Sequence, residues 1–206
     1  SVFGRGGLAA VSFELDFYGK KAHSSVPEEG INALTAIIEV FNNINVLRDR
    51  FPQHKINGII TSGGEASNVI PDESSAEILI RAQKTDDLDL ILKEIKKAIK
   101  AASMLTGAEY NINLGLKYAE RYPNLVMGKL FKKNMKKLNE NIKLAEAEEG
   151  LGSSDVGNVS KKIPTIHPYI KITDNVNMHS KEFVNASISE RADEVVIKAA
   201  KALALT

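Results

Sequence analysis

At 206 residues, 43% of them hydrophobic and 26% charged, the chain is long enough to bury a core and has the composition of a soluble globular protein. A formal net charge of +1 argues against nucleic acid as a partner, since phosphate binding shows as a basic excess. The lack of cysteine excludes disulfides and thiolate chemistry and fits a cytoplasmic location; no apolar run suggests a membrane span, and the N-terminus has no signal-peptide pattern.

From Val11 to Tyr18 the chain alternates strictly, with Val11, Phe13, Leu15 and Phe17 on one face, which predicts a half-buried strand. His23 follows at a turn between this strand and a helix, a place from which an imidazole can be aimed at a ligand. Ser25 to Glu28 has the form of a capping box with Pro27 near the first helical position. Ile31, Leu34, Ile38, Phe41 and Ile44 then repeat at helical spacing to about Arg48, and Gly30 moves the regular start beyond itself. A second strand is predicted over Lys55 to Thr61, ended by Gly63-Gly64, and a third over Ala76 to Gln83. Leu88, Ile91, Leu92, Ile95, Ile99 and Ala102 make the apolar stripe of a second helix that Gly107 ends. A fourth strand carries Tyr110, Ile112, Leu114 and Leu116. The order strand-helix-strand-strand-helix-strand predicts an α+β fold, a ferredoxin-like split βαβ sandwich with both helices on one sheet face.

Past Tyr118 the character changes. A helix is predicted from Asn124 to about Asn141, its lysine side (Lys129, Lys132, Lys133, Lys136, Lys137) a solvated face over Leu130, Phe131, Met135 and Leu138. Leu144 to Glu149 is acidic, and Gly150 to Asp155 reads as a tight polar loop. Thr165 to Ile172 reads as a buried strand, and a closing helix runs to the C-terminus, capped by Ser187 or Ser189. Residues 119–206 hold too few strands for a sheet of their own and read as part of a larger α/β domain.

The four histidines differ. His54 lies in a polar loop and reads as solvated, and His167, inside the apolar stretch, reads as a hydrogen-bonded core histidine. His23 and His179 sit at element ends, where structural and functional readings both stand. Asn68 lies in a turn-rich link that it could cap. Arg81 is either an ordinary exposed strand arginine or a planar fork for a substrate carboxylate.

Four motifs, Gly19 to Ala33, Asn68 to Asp72 with Arg81 beyond, Gly152 to Ser160, and Met178 to Phe183, occur in the order of one known family. The chain resembles the aminoacylase/carboxypeptidase-G family of co-catalytic metallopeptidases, and within it the aminobenzoyl-glutamate and hippurate hydrolase branch. The resemblance implies a lid or dimerisation domain over residues 8–118 and the C-terminal portion of a zinc-peptidase-like α/β catalytic domain over 119–206. It implies hydrolysis of N-acyl amino acids or small dipeptide-like amides with a free carboxylate, by water activated on two divalent metal ions, zinc or manganese. His23 matches a lid histidine that reaches the partner subunit's active site. Asn68 and Arg81 match substrate-binding lid residues, Gly152 and Ser153 a loop lining the substrate pocket, and His179 a metal ligand. The implied assembly is a homodimer through the lid. The family's His-x-Asp or His-x-Cys segment is missing, and neither Glu28-Glu29 nor Glu148-Glu149 suits the catalytic base. The expectation is therefore a chain without its N-terminal metal-binding part, at most a weak metal binder and inactive alone; the alternative is a non-catalytic dimerisation or ligand-binding module.

Overall fold

A computed structural model describes residues 1–146, 152–174 and 176–206. Glu148, Glu149, Gly150 and Leu151, parts of the predicted acidic run and polar loop, lie outside the described residues. In chain order the elements are β1 (Val2–Phe3), β2 (Ala9–Tyr18), β3 (Ala22–His23), a 3-10 turn (Pro27–Glu29), α1 (Ala33–Arg50), β4 (Lys55–Ser62), β5 (Val69–Ile70), β6 (Glu73–Ala82), α2 (Thr85–Thr106), β7 (Glu109–Leu114), α3 (Leu125–Lys137), β8 (Lys143–Leu144), α4 (Val156–Ser160), α5 (Lys181–Ser187) and α6 (Glu190–Ala204). They form two compact units, Leu8–Glu120, and Ser1–Gly7 with Arg121–Thr206.

In Leu8–Glu120 the sheet order is β4-β6-β2-β7, every neighbouring pair antiparallel. This is the predicted βαββαβ arrangement. Val11, Phe13, Leu15 and Phe17 of β2 and Ala76, Ile78 and Ile80 of β6 line one sheet face. Ile37, Val40 and Ile44 of α1 and Leu88, Ile91, Ile95 and Ile99 of α2 close that core from above. Each fully buried side chain of this kind contributes about 1.5–3 kcal/mol relative to exposure, so this core dominates the unit's stability. The opposite sheet face is polar, with Asn113 donating to Glu14 across the β2–β7 pair.

The start of α1 differs from expectation. α1 is capped by Asn32, whose side chain accepts the Thr35 N–H at 3.0 Å, while Pro27 to Glu29 forms only the 3-10 turn. Gly30 separates the two, so the capping-box segment is a prelude and not the helix start. Lys84, at the N-cap of α2, supplies no side-chain cap. Glu120 does this from a distance, its carboxylate accepting from the Thr85 N–H at 2.9 Å and from Thr85 Oγ1 at 2.5 Å. A carboxylate suits that end because exposed amides and the helix dipole both favour negative charge. At the other end Gly107 stands at φ +78°, where a side chain would be strained, and returns its N–H to Ser103.

In the second unit, Phe3, Phe131, Met135, Ile142 and Ala202 form a small apolar cluster. β1 pairs in parallel with β8. α3 stops at Lys137, short of the predicted Asn141. Asn139 adopts φ +58°, its N–H bonds to Lys136 O at 3.2 Å, and the Glu140 N–H bonds to Met135 O at 3.0 Å. Those two reverse bonds satisfy the final carbonyls and terminate the helix. The strand predicted over Thr165 to Ile172 is not formed. Only Tyr169 pairs, with Val2, through reciprocal bonds of 2.8 Å, and Pro168 offers no N–H beside it. α6 begins after Ser189, whose hydroxyl accepts the Ala192 N–H at 3.2 Å; Lys181–Ser187 is a separate helix. No helix among the described residues is long and apolar enough to cross a membrane.

Candidate active site

β2 and β6 do not stop where the sheet ends. After Tyr18 and Glu73, the last paired residues, the same two chain segments run on as the β3–β5 ribbon. Gly19 opens the departure, its N–H bonded to Asp72 O at 2.7 Å. A Cβ on Gly19 would stand 2.0 Å from Ile31 O, a contact no side chain tolerates. Lys20 and Ile31 exchange backbone bonds of 2.9 Å there, which fixes the ribbon against the start of the helical segment.

On the ribbon, His23 pairs with Val69, and the Ser24 N–H bonds to Asn68 O at 3.0 Å. His23 and Asn68, 45 positions apart in sequence, are therefore neighbours. Both are exposed. The Ser25 backbone N–H reaches His23 Nδ1 at 3.2 Å. A backbone N–H can only donate, so neutral His23 accepts at Nδ1 and carries its proton on Nε2. The Asn68 side chain forms no hydrogen bond among the described residues, so it does not act as a turn cap. A groove of about 500 Å³ runs beside it, lined by Ser24, Asn32, Gly63, Glu65, Ser67 and Val69 among others.

Arg81 does not join them. It lies opposite Lys55 and Ala10 near the far end of β6, and the eight residue steps from Glu73 to Arg81 span about 27 Å of extended chain. Arg81 is half-buried, and its Nε is buried with no hydrogen-bond partner among the described residues.

Gly152, Ser153 and His179 belong to the other unit. Gly152 has open space around its Cβ position, and Ser153 Oγ and Ser154 Oγ are buried without partners among the described residues. His179 is exposed at φ +68°, in the turn before Ser180, which caps α5. Among the described residues no three His, Cys, Asp or Glu side chains gather as a metal site would require. The donors present do not fit a dinuclear centre, and His179 stands as a single imidazole.

Sequence reasoning missed a cluster around Arg121. Arg121 is 7% exposed. Its Nε donates to Arg5 O at 3.2 Å, and one terminal nitrogen donates to Gly6 O at 2.5 Å and to Tyr169 Oη at 3.2 Å. The other terminal nitrogen meets His167 Nδ1. His167 stacks on Tyr169 with ring centroids 5.0 Å apart, and the Arg5 guanidinium lies 4.5 Å from the Tyr169 centroid. His167 is thus hydrogen-bonded, as read, but half-buried and outside any strand. Burial, then the Arg121 charge, pushes its pKa down, and the Asp155 carboxylate opposes them. His54 is half-buried with its ring edge against Phe51, a correction to the solvated reading.

Residues 4–104 match the family model described as the peptidase dimerisation domain. The chain carries a peptidase dimerisation domain. It is 35% identical over 206 residues to a human Xaa-Arg dipeptidase, covering 97% of this chain and 47% of that protein. It is 22% identical over 174 residues to an N-acetyldiaminopimelate deacetylase of Leuconostoc mesenteroides, covering 81% of this chain and 44% of that protein. The crystal structure of an aminobenzoyl-glutamate utilization protein from Klebsiella pneumoniae matches with a TM-score of 0.68 at 15% identity, over 98% of this chain and 51% of that one. That likeness shows the fold. The chain spans about half the length of the relatives it matches. Its relatives include hydrolases, and its own resemblance to the aminoacylase/carboxypeptidase-G family extends beyond the four motifs to nearly the whole chain.

Proposed function

We propose that this chain supplies the lid, residues 8–118, and the C-terminal portion of the catalytic domain, residues 119–206, of a metal-dependent amidohydrolase. Its substrates are N-acyl amino acids or small dipeptide-like amides with a free carboxylate. The names of two relatives, a dipeptidase and a deacetylase, support that class. The working form is a cytoplasmic homodimer joined through the lid.

One observation carries the reading. His23 and Asn68 sit side by side on a ribbon that leaves the sheet at one end, while Arg81 lies about 27 Å of strand away at the other. A small amide cannot touch both ends of one lid. Two lids resolve the separation: the ribbon of one protomer serves a substrate whose carboxylate is held by Arg81 of the other. In that site His23 Nε2–H donates to the carbonyl oxygen as water adds and the oxygen becomes an oxyanion. A preorganised donor of this kind is worth about 10²–10³ in kcat. The Arg81 fork binds the carboxylate, and Asn68 and the Gly152-Ser153 loop hold the remaining polar groups of the substrate. His179 is offered as one ligand toward two divalent ions, zinc or manganese. The other donors and the general base are supplied by residues other than these.

The test is subunit complementation in the longer polypeptide that carries this chain. His23→Ala and Arg81→Ala homodimers are each expected to lose about 10²-fold or more in kcat/KM. After mixing and exchange, heterodimers carry one site with both residues intact, and activity should return to about a quarter of wild type. No recovery in exchanged heterodimers would place both residues in the same protomer's site and overturn the reading. Full activity in both variants would favour the non-catalytic dimerisation module.

A further inference from the structure

Arg121, which is buried, and Arg191, which is exposed, are two arginines of the same unit in opposite situations. Arg191 makes a two-pronged pair with the Glu140 carboxylate, at 2.7 and 2.9 Å. Arg121 is more deeply buried, yet all four of its acceptors are uncharged: two backbone carbonyls, an imidazole and a phenol. No carboxylate among the described residues pairs with it. A buried cation with neutral partners keeps its charge uncompensated, which favours an anion nearby.

The geometry also sets the neighbouring imidazole. A guanidinium has only donors, so His167 must accept at Nδ1, and the neutral ring carries its proton on Nε2. That Nε2 has no hydrogen-bond partner among the described residues, and the residue as a whole is only half-buried. Stacking on Tyr169 fixes the ring plane. The Gly152 loop adjoins the cluster: the Cβ position of Gly7 lies 3.1 Å from Gly152 O and 3.5 Å from Arg121 Cζ. Next along that loop are the buried hydroxyls of Ser153 and Ser154, both without partners among the described residues.

We propose that His167 is a ligand-binding residue, its Nε2–H presented to a carboxylate oxygen, and that Arg121 is its positioning residue. Arg121 contributes in two ways, by locking the tautomer from behind and by supplying the positive charge that an incoming carboxylate compensates. Identification of the carboxylate as the substrate's own rests on the amidohydrolase reading; the imidazole geometry does not.

The experiment has two readouts. With ¹⁵N-histidine label in this chain, long-range ¹H–¹⁵N spectra at neutral pH should show His167 protonated at Nε2 and bare at Nδ1. N-acetylglycine should shift the Nε2 resonance saturably, whereas N-acetylglycinamide, which lacks the carboxylate, should not. A proton on Nδ1, no shift with N-acetylglycine, or equal shifts with both probes would overturn the proposal. In the longer polypeptide, His167→Phe should raise KM about tenfold or more with kcat within about threefold, and His167→Gln, which retains an N–H near the Nε2 position, should recover most of the loss. Equal KM in both variants and wild type would also overturn it. If the longer polypeptide hydrolyses no N-acyl amino acid, the functional reading fails while the spectra still decide the site.

Discussion

Glu140 shows how one residue can tie a helix end to a core. The left-handed turn at Asn139 stops α3 and delivers Glu140 to Arg191 and to Lys198, 3.1 Å away. The hydrogen bond from Arg191, against the opposing effect of burial, pulls its carboxyl from the ordinary 4.5 down to about 2. A depressed carboxylate contributes stability that is fully present above its unfolded pKa and is lost as pH falls through the folded value. Glu140→Gln is therefore expected to cost the Arg121–Thr206 unit about 1.5–3 kcal/mol at neutral pH, the range for hydrogen bonds to charged groups. The difference from wild type should shrink between pH 4.5 and about 2. Denaturant melts of both proteins across that range check it, and a pH-independent gap would mean the carboxylate's charge plays no part.

At the scale of elements, β4 is an edge strand of eight residues whose outer rim has no partner among the described residues. Ile59 is 61% exposed and Ile60 44%, on opposite faces of the strand. Such a rim is a template for another strand unless something covers it. In the proposed homodimer a second copy covers it, so Ile59→Lys should shift sedimentation from dimer to monomer at micromolar concentration. Because that side chain is outside the core, the melting temperature of the monomer should change little. An unchanged dimer would move the interface elsewhere. The same elements show what sequence could and could not reveal. β2, β6, α1 and α2 were legible because Phe13, Leu15, Ile78 and Ile95 repeat with the period of their own element. The strand over Thr165 to Ile172 was misread because a strand exists only with a partner, and apolar residues alone do not supply one. The two-residue strands β3 and β5 have no period at all. His23 and Asn68 stood out as individual residues, but their adjacency depends on a register between distant segments. Arg121 left no local signal, since all its side-chain partners come from other stretches of chain.

Across the whole molecule the two units differ in how much apolar surface they hide. The Leu8–Glu120 unit closes two helices over four strands around one large core, whereas the apolar cluster of the other gathers, among the described residues, five buried side chains. Residues 8–120 expressed alone should thus unfold cooperatively, with a stability within the 5–15 kcal/mol usual for domains. A broad, non-cooperative melt would mean that this core depends on the remaining chain. The gap of 2.0 Å at Gly19 also governs how this protein can change over generations. Every missense change of a glycine codon adds a Cβ, so position 19 offers no neutral neighbour to explore, while exposed Lys20 and Lys21 beside it can drift. A lineage that lost this glycine would keep its folded sheet and its histidine, and inherit the two out of alignment.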